Sequence, residues 1–201
     1  IGLILTYSEF LTEEILSFLT EEQKDFLKTI HGSSLFMKKL VDDFLDVSAI
    51  EAGRFDMDLQ LADLSAVLDQ SLKLGRLQAA KKGVDLQVQI AENLPELLID
   101  ASKIEQAIMN LVGNAIEYSL EGSMVTVRLS RCQETLCLLV QDRGQGIPAE
   151  ELNRLFKPFG KTSTQKTGGE KSTGLGMLIT QKIIMAHKGE IKVDSRPGHG
   201  T

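Results

Sequence analysis

Tryptophan is absent from this chain of 201 residues, and cysteine and proline are scarce, with two and four copies. Long apolar runs are also missing, since none approaches the roughly 18 residues that would cross a bilayer. The thiols of Cys132 and Cys137 flank a predicted hairpin turn and could lie close together, but reduced thiols are the simpler interpretation. No cysteine–histidine cluster has the spacing of a zinc site. With no basic leader before Ile1, we expect no signal peptide, no membrane segment in this chain and a cytoplasmic location.

Basic residues are fewer than acidic ones, 22 against 28, which gives a net charge of −6. Lysine and arginine are scattered, whereas general binding to nucleic acid is driven by a concentrated basic surface. We therefore expect no nucleic-acid partner. Apolar residues make up 42% of the chain, which is enough for a packed core in one or two domains.

The first 53 residues predict a helical hairpin, with helices at roughly 1–19 and 21–52. Thr20 and Gln23 have the spacing of a capping box, and Gly53 is a suitable stop for the second helix. Both helices carry a heptad-like apolar seam. Its members are Ile4, Leu11, Ile15 and Phe18 in the first helix, and Phe26, Ile30, Met37, Leu40, Phe44 and Val47 in the second.

Two helices alone cannot bury such a seam, so a hairpin of this kind usually forms half of a dimeric four-helix bundle. We therefore predict a homodimer through residues 1–53. The alternative is that the long second helix packs on the remainder of its own chain.

Residues 54–201 mix strand and helix patterns, which predicts an α/β two-layer sandwich with a mixed sheet. With the hairpin, this gives an α+β protein of two domains, 1–53 and 54–201. Asp63 and Asp100 stand where helix N-caps are expected. The predicted strands are 55–61, 84–90, 97–99, 124–129, 136–141 and 190–194, and the predicted helices are 63–82, 100–119, 150–156 and 175–187.

Two asparagines, Asn110 and Asn114, lie four residues apart in a helical pattern, so their amides project from one face. Asparagine is a poor residue for a helix interior. Its amide oxygen is a hard ligand of the kind that Mg²⁺ takes together with waters and phosphate oxygens. The pair therefore indicates a metal site, although an ordinary polar helix surface would show the same spacing.

A predicted strand runs into Asp142, and the chain continues Arg-Gly-Gln-Gly to Ile147. A carboxylate at a strand end can accept a hydrogen bond from an exocyclic amino group such as that of adenine, whereas the carbonyl oxygen of guanine would repel it. Gly144 and Gly146 let the backbone approach a flat ring, and Ile147 supplies an apolar wall. An ordinary Asp–Gly turn is the alternative.

A polar stretch of about 14 residues, 160–173, precedes the last predicted helix and is longer than most loops. It leads into Gly174-Leu-Gly176, where backbone N–H groups at the helix start can bind phosphate. The spacing is not that of a Walker loop. We interpret residues 160–173 as a lid over a phosphate site.

In order and spacing, these motifs resemble the N, G1, F and G2 boxes of histidine kinases, within the gyrase/Hsp90/histidine kinase/MutL ATPase superfamily. The F box corresponds to residues 152–159, and Gly198-His-Gly-Thr201 resembles the last glycine box. Residues 21–53 look like the second helix of the dimerisation and histidine-phosphotransfer domain. The resemblance covers nearly the whole chain and implies the Bergerat ATP-binding fold for residues 54–201.

The resemblance implies that the cofactors are ATP and Mg²⁺. The reaction would pass the γ-phosphoryl group to a histidine and then to an aspartate on a response-regulator receiver domain. By analogy, Asp142 would contact the adenine amino group, Tyr118 would lie beside the ring, and Asn110 and Asn114 would hold Mg²⁺ and phosphate oxygens. The expected nucleotide-binding residues are Asn110, Asn114, Tyr118, Asp142, Gly144, Gly146, Ile147, Lys161, Lys171, Thr173, Gly174, Leu175, Gly176 and Thr201.

Two parts of the family pattern are missing from the chain. The acceptor-histidine motif should precede Ile1, and none of His31, His187 and His199 has its context. His31 is expected to be a packing or surface histidine, and His187 a cation at a helix end, where it would suit the dipole. The family also continues into a further strand after Thr201. We therefore expect a fragment of a longer kinase that does not phosphorylate itself.

Glu117 departs from the pattern, because many family members have lysine or arginine facing phosphate three residues after the second asparagine. A carboxylate there would repel the nucleotide unless it points away or a lysine compensates. The candidates for compensation are Lys157, Lys161 and Lys171.

Three functions follow from these residues. The first is an active kinase core, and the second is a degenerate regulatory module that binds nucleotide and dimerises, which Glu117 favours. The third is a hydrolysing ATPase of the gyrase kind, which would have a glutamate four residues before Asn114 to activate water. Asn110 stands at that position and argues against hydrolysis.

Overall fold

The computed structural model describes residues 1–14, 16–167 and 172–201, with side chains described outside 13–16. They form two compact units, 1–53 and 54–201. The first is helical and the second combines helices with a mixed sheet, which confirms the predicted fold class. No helix in the described part of the chain has both the length and the apolar character needed to cross a bilayer.

The first unit is a helical hairpin. It contains α1 (Gly2–Glu14), a 3₁₀ helix (Leu16–Phe18) and α2 (Glu21–Glu51). The predicted capping box is present, because Thr20 Oγ1 accepts from the Gln23 N–H at 3.3 Å and Gln23 Oε1 accepts from the Thr20 N–H at 2.9 Å. These bonds satisfy two donors that a helix start would otherwise leave unpaired. The turn between the helices is therefore fixed by local sequence, while Ile15 lies outside the described residues.

The predicted seam of α2 does not face α1. The α2 residues buried within this unit are Leu27, Ser34 and Asp43, and His31 Nδ1 lies 3.0 Å from the Ser8 hydroxyl of α1. His31 is thus a packing histidine. The described seam residues Phe26, Ile30, Met37 and Phe44 are 42–60% exposed. A strip of large apolar side chains is left open along α2.

The second unit contains two sheets with helices packed beside them. β1 pairs antiparallel with β3, while β4 lies between a parallel β2 and an antiparallel β5. The strands are β1 (Gln60–Ala62), β2 (Asp85–Ile90), β3 (Leu97–Ile99), β4 (Met124–Cys132) and β5 (Thr135–Gln141). The helices are α3 (Leu64–Lys82), α4 (Ala101–Tyr118), α5 (Gly176–Ala186) and a 3₁₀ helix, Ala149–Arg154.

The core of this unit follows the two expected periodicities. Along β4, every second side chain from Val125 to Leu129 is fully buried. On the helices the buried positions recur every three or four residues, as one apolar stripe requires. They are Leu68 and Leu72 on α3, Ile104, Ala107, Ile108, Val112, Ala115 and Ile116 on α4, and Leu178, Ile179 and Ile183 on α5. Each buried Leu or Ile contributes about 1.5–3 kcal/mol, so α4 is held firmly.

Helix starts were predicted more accurately than strands. Asp63 and Asp100 cap α3 and α4 as expected, accepting from the N–H groups of Ser65 and Lys103 at 2.8 and 3.0 Å. The predicted strand 55–61 is wrong in its first half, because the Asp58 N–H bonds the Asp100 carboxylate at 3.1 Å instead of a neighbouring strand.

Two further elements differ from the prediction. Residues 190–194 alternate in exposure like a strand, but they form no ladder with the described residues, and nearby only an isolated bridge joins Arg196 to Gly200. A strand needs a row of backbone partners as well as alternation. The short helix expected at 150–156 is the 3₁₀ helix, Ala149–Arg154.

Candidate functional site

The two asparagines of α4 meet the first turns of α5. Asn110 Nδ2 donates to Thr180 Oγ1 at 2.8 Å, and Asn114 Nδ2 lies 3.6 Å from Met177 Sδ. Because each amide directs its NH₂ group to α5, its carbonyl oxygen is left for another partner. The helix pair therefore presents two hard oxygen ligands on one face of α4.

Gly176, the first residue of α5, lies directly against Asn110. Any side chain there would collide with the Asn110 amide oxygen. Among the described residues no side chain caps this helix start, so its first N–H groups are available to an anion. The preceding turn is buried, with the Leu175 N–H donating to Thr173 Oγ1 at 3.3 Å. The amide oxygens and the α5 N–H groups could therefore bind a cation and phosphates side by side.

Asp142 follows β5 and is 8% exposed. Its Oδ1 accepts from the N–H groups of Gly144 at 2.8 Å and Thr201 at 3.3 Å, while its own N–H donates to the Thr201 carbonyl at 2.9 Å. Burial raises the pKa of this carboxyl, and the two N–H donors partly oppose that rise. Both described hydrogen bonds end on Oδ1, which leaves Oδ2 for a donor from a ligand.

The glycine-rich turn after Asp142 is joined to the chain end. Gly146 has φ +69°, and a side chain there would overlap the Arg196 carbonyl. The Ile147 N–H donates to Ser195 Oγ at 2.8 Å, and that hydroxyl also contacts Gly200 O and Thr201 Oγ1, at 2.9 and 2.8 Å. Residues 144–147 and 195–201 therefore form one rigid frame around Asp142.

Ser119 is a candidate site residue that sequence reasoning missed. Its hydroxyl is fully buried and has no hydrogen-bond partner among the described residues. An unpaired buried hydroxyl costs about 1–3 kcal/mol, so a native one calls for a ligand or a bound water. A side chain at Gly144 would strike the carbonyl of neighbouring Tyr118, which places Ser119 close to the Asp142 frame. No motif in the sequence marks this residue.

Tyr118 ends α4 beside Ser119 and is half-buried. Burial raises the pKa of its phenol, the charge of Glu117 raises it further, and a hydrogen bond with Ser172 opposes both. The phenol is therefore neutral at physiological pH and suited to packing beside an aromatic ring.

Residues 163–167 lie along the rim of the site. Several described contacts hold them. At the start of the segment, Ser163 N–H donates to Glu151 Oε2 at 2.7 Å and Thr164 Oγ1 donates to the Gly146 carbonyl at 3.0 Å. In its middle, the Gln165 carbonyl accepts from Gln145 Nε2 at 3.2 Å and Lys166 forms an ion pair with Glu117. At its end, Thr167 Oγ1 donates to the Ser119 carbonyl at 2.7 Å. The segment thus connects the Gly146 turn to the end of α4.

Among the described residues, the ion-pair partner of Glu117 is not one of the lysines suggested by the sequence. Its partner is Lys166, which the sequence analysis did not name. Lys157 and Lys161 are exposed and take part in none of the described contacts of the site, and Lys171 lies outside the described residues. The contact between Lys166 and Glu117 could not be predicted from the sequence, because it depends on the conformation of the loop that carries Lys166.

His187 is not the cation that the sequence suggested. The Asp100 N–H donates to His187 Nε2 at 3.0 Å, so that nitrogen carries a lone pair. The other nitrogen, Nδ1, lies 2.8 Å from the Ile183 carbonyl and must donate to it. The ring is the neutral Nδ1–H tautomer, and it ties the end of α5 to the start of α4.

Within residues 1–14, 16–167 and 172–201, no group of three or more His, Cys, Asp or Glu side chains could hold a metal ion. A cation at this site would therefore rely on the asparagine oxygens and on oxygens of the ligand. That donor set suits Mg²⁺, which keeps several waters and binds through phosphates. With the orphaned Ser119 hydroxyl and the open Oδ2 of Asp142, the residues present fit a magnesium nucleotide.

Comparison with known families gives two matches. Residues 99–201 match the family of histidine kinase-, DNA gyrase B-, and HSP90-like ATPases. Residues 1–53 match the His Kinase A (phospho-acceptor) domain. The second match covers the whole first unit, and the first match covers the second unit from residue 99 onward.

Individual relatives and structures agree with these families. The chain is 30% identical to the cell-division control histidine kinase PdhS of Brucella anthropi, over 98% of this chain and 20% of that protein. The full-length structure of ShkA in complex with AMPPNP is 25% identical, with a TM-score of 0.78 over 98% of this chain and 40% of ShkA.

The histidine kinase ThkA, solved in complex with the response regulator protein TrrA, shares the fold at 20% identity, with a TM-score of 0.64 over 92% of this chain and 51% of that one. The chain spans about a fifth to a quarter of the length of the curated relatives it matches.

Proposed function

Since the chain belongs to the family of histidine kinase-, DNA gyrase B-, and HSP90-like ATPases and carries a His Kinase A domain, we propose that it binds Mg-ATP as the catalytic core of a sensor histidine kinase. The observation that supports the proposal most strongly is the buried Asp142 carboxylate. Its Oδ1 accepts hydrogen bonds from two backbone N–H groups, and its Oδ2 accepts none of the described hydrogen bonds. A buried carboxylate with an unused acceptor selects a ligand that brings its own N–H donor.

Where the adenine base binds, Asp142 Oδ2 accepts a hydrogen bond from the adenine amino group. The Ser119 hydroxyl forms a hydrogen bond with the adenine ring or with a bound water. Gly144 and Gly146 line the ring, and Ile147 and Tyr118 supply apolar contact. Because Oδ1 is held by the N–H groups of Gly144 and Thr201, the carboxylate is oriented before the ligand arrives. Guanine presents an acceptor where adenine presents a donor, so ATP is preferred to GTP.

At the phosphate end, the first N–H groups of α5 bind phosphate oxygens, with Gly174 and Leu175 forming the turn that leads into them. The carbonyl oxygens of Asn110 and Asn114 would hold Mg²⁺, which would neutralise charge developing on the transferred phosphoryl group. Thr180 keeps the Asn110 amide oriented through its 2.8 Å hydrogen bond.

The acceptor is a histidine of the longer protein, followed by an aspartate on the receiver domain of a response regulator. Asn110 supports this direction of transfer, because it stands where a hydrolysing relative would carry a glutamate base. A neutral imidazole is already a nucleophile, whereas water needs a base to attack. Phosphoryl transfer to a histidine therefore suits the site better than hydrolysis.

The first unit supports a homodimer. The strip of exposed apolar side chains along α2, which includes Ile30, Met37 and Phe44, would be buried against a second copy in a four-helix bundle. The dimer would supply the surface that presents the acceptor histidine and receives the regulator.

The regulatory-module alternative rested on Glu117, and one contact weakens it. Lys166 pairs with Glu117, so this carboxylate is neutralised in the protein and does not present a free negative charge to phosphate.

The proposal is tested by equilibrium binding of ATP and GTP to the wild-type chain and to Asp142→Asn. Asparagine keeps an oxygen for the Gly144 and Thr201 N–H groups but removes the charge-assisted bond to adenine. We expect ATP affinity to fall about 10- to 100-fold, as for loss of one charged hydrogen bond, and the preference for ATP to disappear. The exposed Asp85→Asn is the control. ATP binding that is indifferent to Asp142→Asn would refute the proposal.

A further inference from the structure

Lys166 and Glu117 form an ion pair at the edge of the proposed phosphate site. The Lys166 side chain is only 8% exposed and that of Glu117 is 32% exposed. A lysine ammonium this buried must keep a charged or hydrogen-bonded partner, because leaving it unpaired costs several kcal/mol. The pair is therefore a defined contact of the unliganded protein, unlike a fluctuating surface salt bridge.

Glu117 belongs to the same helical face as the two asparagines. Positions 110, 114 and 117 follow the i, i+4, i+7 pattern, so their side chains are neighbours along α4. Three residues advance the helix by about 4.5 Å, which places the Glu117 carboxylate one turn from Asn114. The Lys166 side chain is therefore long enough to reach from the Glu117 carboxylate to phosphates that are bound beside Asn114.

The neighbouring residue Thr167 ties this part of the lid to the backbone of α4. The Glu117 carbonyl accepts from Thr167 N–H and Oγ1, each at 3.1 Å, and from Lys82 Nζ at 2.5 Å. These bonds involve the helix end and do not depend on the Glu117 carboxylate. Lys166 can therefore change partner while the Thr167 bonds still hold the loop at α4, although the loop then has one contact fewer.

We propose that Lys166 is a phosphate-binding residue, and that Glu117 holds it beside the site until a nucleotide arrives. This rests on the proposed binding of Mg-ATP. Nucleotide phosphates carry more negative charge than one carboxylate and attract the ammonium more strongly. On binding, Lys166 moves from Glu117 to the phosphates. The pair thus replaces the phosphate-facing cation that α4 lacks, and Glu117 is a positioning residue that competes with the nucleotide.

A double-mutant cycle on ATP affinity separates this role from simple repulsion by Glu117. Glu117→Gln removes the carboxylate that pairs with Lys166 and is expected to tighten ATP binding about 3- to 10-fold. Lys166→Gln is expected to weaken it by a similar factor. In the double variant the gain should vanish, because Glu117 acts through Lys166. Adenosine, which has no phosphate, should bind all variants alike, and Lys192→Gln, at a lysine whose side chain is 81% exposed, serves as the control.

Two results would overturn the proposal. If Glu117→Gln tightens ATP binding equally with and without Lys166, the carboxylate simply repels phosphate. If Lys166→Gln leaves ATP affinity unchanged, or weakens adenosine and ATP alike, Lys166 does not bind phosphate.

Hydrogen exchange of the unliganded protein tests the ion pair even if no nucleotide binds. The Thr167 amide should exchange several-fold faster in Glu117→Gln than in wild type or Lys192→Gln, since the loop loses the Lys166–Glu117 ion pair. Unchanged exchange would mean that Glu117 does not hold the loop. Absent ATP binding with altered exchange would instead locate the failure in the proposed nucleotide site.

Discussion

Asp142 is a carboxylate that the fold buries before any ligand is bound. Its pKa is raised because loss of solvent outweighs the two backbone N–H donors. The folded state therefore binds its proton more tightly than the unfolded chain does. By linkage, the contribution of Asp142 to stability falls as the pH rises through its raised pKa, and stays low above it. A buried, ionised carboxylate that lowers the free energy of unfolding in this way is common where a residue serves function rather than stability.

Replacing this carboxylate with a neutral amide should reveal the cost. Asp142→Asn should unfold at a higher denaturant concentration than wild type at neutral pH. The difference should shrink as the pH is lowered through the raised pKa towards 3.8, the ordinary value for aspartate, because the wild-type carboxyl is then protonated as well. Urea unfolding at a series of pH values measures this. A variant that is less stable than wild type at neutral pH would contradict the assigned direction of the pKa.

Residues with a local signature could be predicted, and residues that depend on tertiary contacts could not. Asp142 is marked by the glycines that follow it, and Asn110 and Asn114 by helical spacing. Ser119 is an unremarkable serine until its burial is known, and Lys166 is one of several lid lysines until its loop is placed against α4. Whether the predicted residues bind nucleotide stays a prediction.

The helices α4 and α5 carry the asparagines and the phosphate-binding N–H groups of the site. His187 joins the end of α5 to the start of α4, away from Asn110 and Asn114. Its Nε2 satisfies the N–H of Asp100, the residue that also caps α4 and bonds the Asp58 N–H. A single imidazole thus fixes the spacing between the end of α5 and the start of α4.

Removing this imidazole should loosen both helices. His187→Ala leaves the Asp100 N–H without a partner in a buried position and is expected to lower the free energy of unfolding by about 1–3 kcal/mol. Chemical denaturation checks this, with the exposed His199→Ala as the matched control. Equal stability of the two variants would show that water replaces the imidazole at no cost.

Elements that are defined by local chemistry were predicted well. The caps at Thr20, Asp63 and Asp100 depend on side chains within three residues, and all three are present. Strands depend on distant partners. The sequence of residues 190–194 alternates, but ladder formation depends on which backbone lies beside it, and alternation carries no information about that.

The molecule as a whole consists of two units with different tasks. The α/β unit has a buried apolar core and exposes further apolar side chains such as Leu61 and Leu77, whereas the hairpin leaves a row of large apolar side chains exposed along α2. Exposed apolar surface of this extent marks an interaction site in a stable protein. We propose that a second copy of the hairpin covers this row.

A charge in this seam should separate the copies. Phe44→Glu would place a carboxylate in the dimer core and is expected to raise the dissociation constant at least 100-fold. Leu35→Glu is the matched control, because it lies nine residues earlier and therefore half a turn away around the helix, and it is exposed as well. Sedimentation equilibrium measures both. Dimers of equal strength in the two variants would place the interface elsewhere.

The most direct test of the account is a calorimetric titration with ATP, in excess Mg²⁺ and in a chelator, of the wild-type chain and of Asn110→Ala. The account predicts that Mg²⁺ tightens ATP binding to the wild type by at least tenfold. In Asn110→Ala this gain should be largely lost, while affinity in the chelator changes little. Wild-type binding that is indifferent to Mg²⁺, or a full Mg²⁺ gain in Asn110→Ala, would contradict a nucleotide site built on the asparagine face of α4.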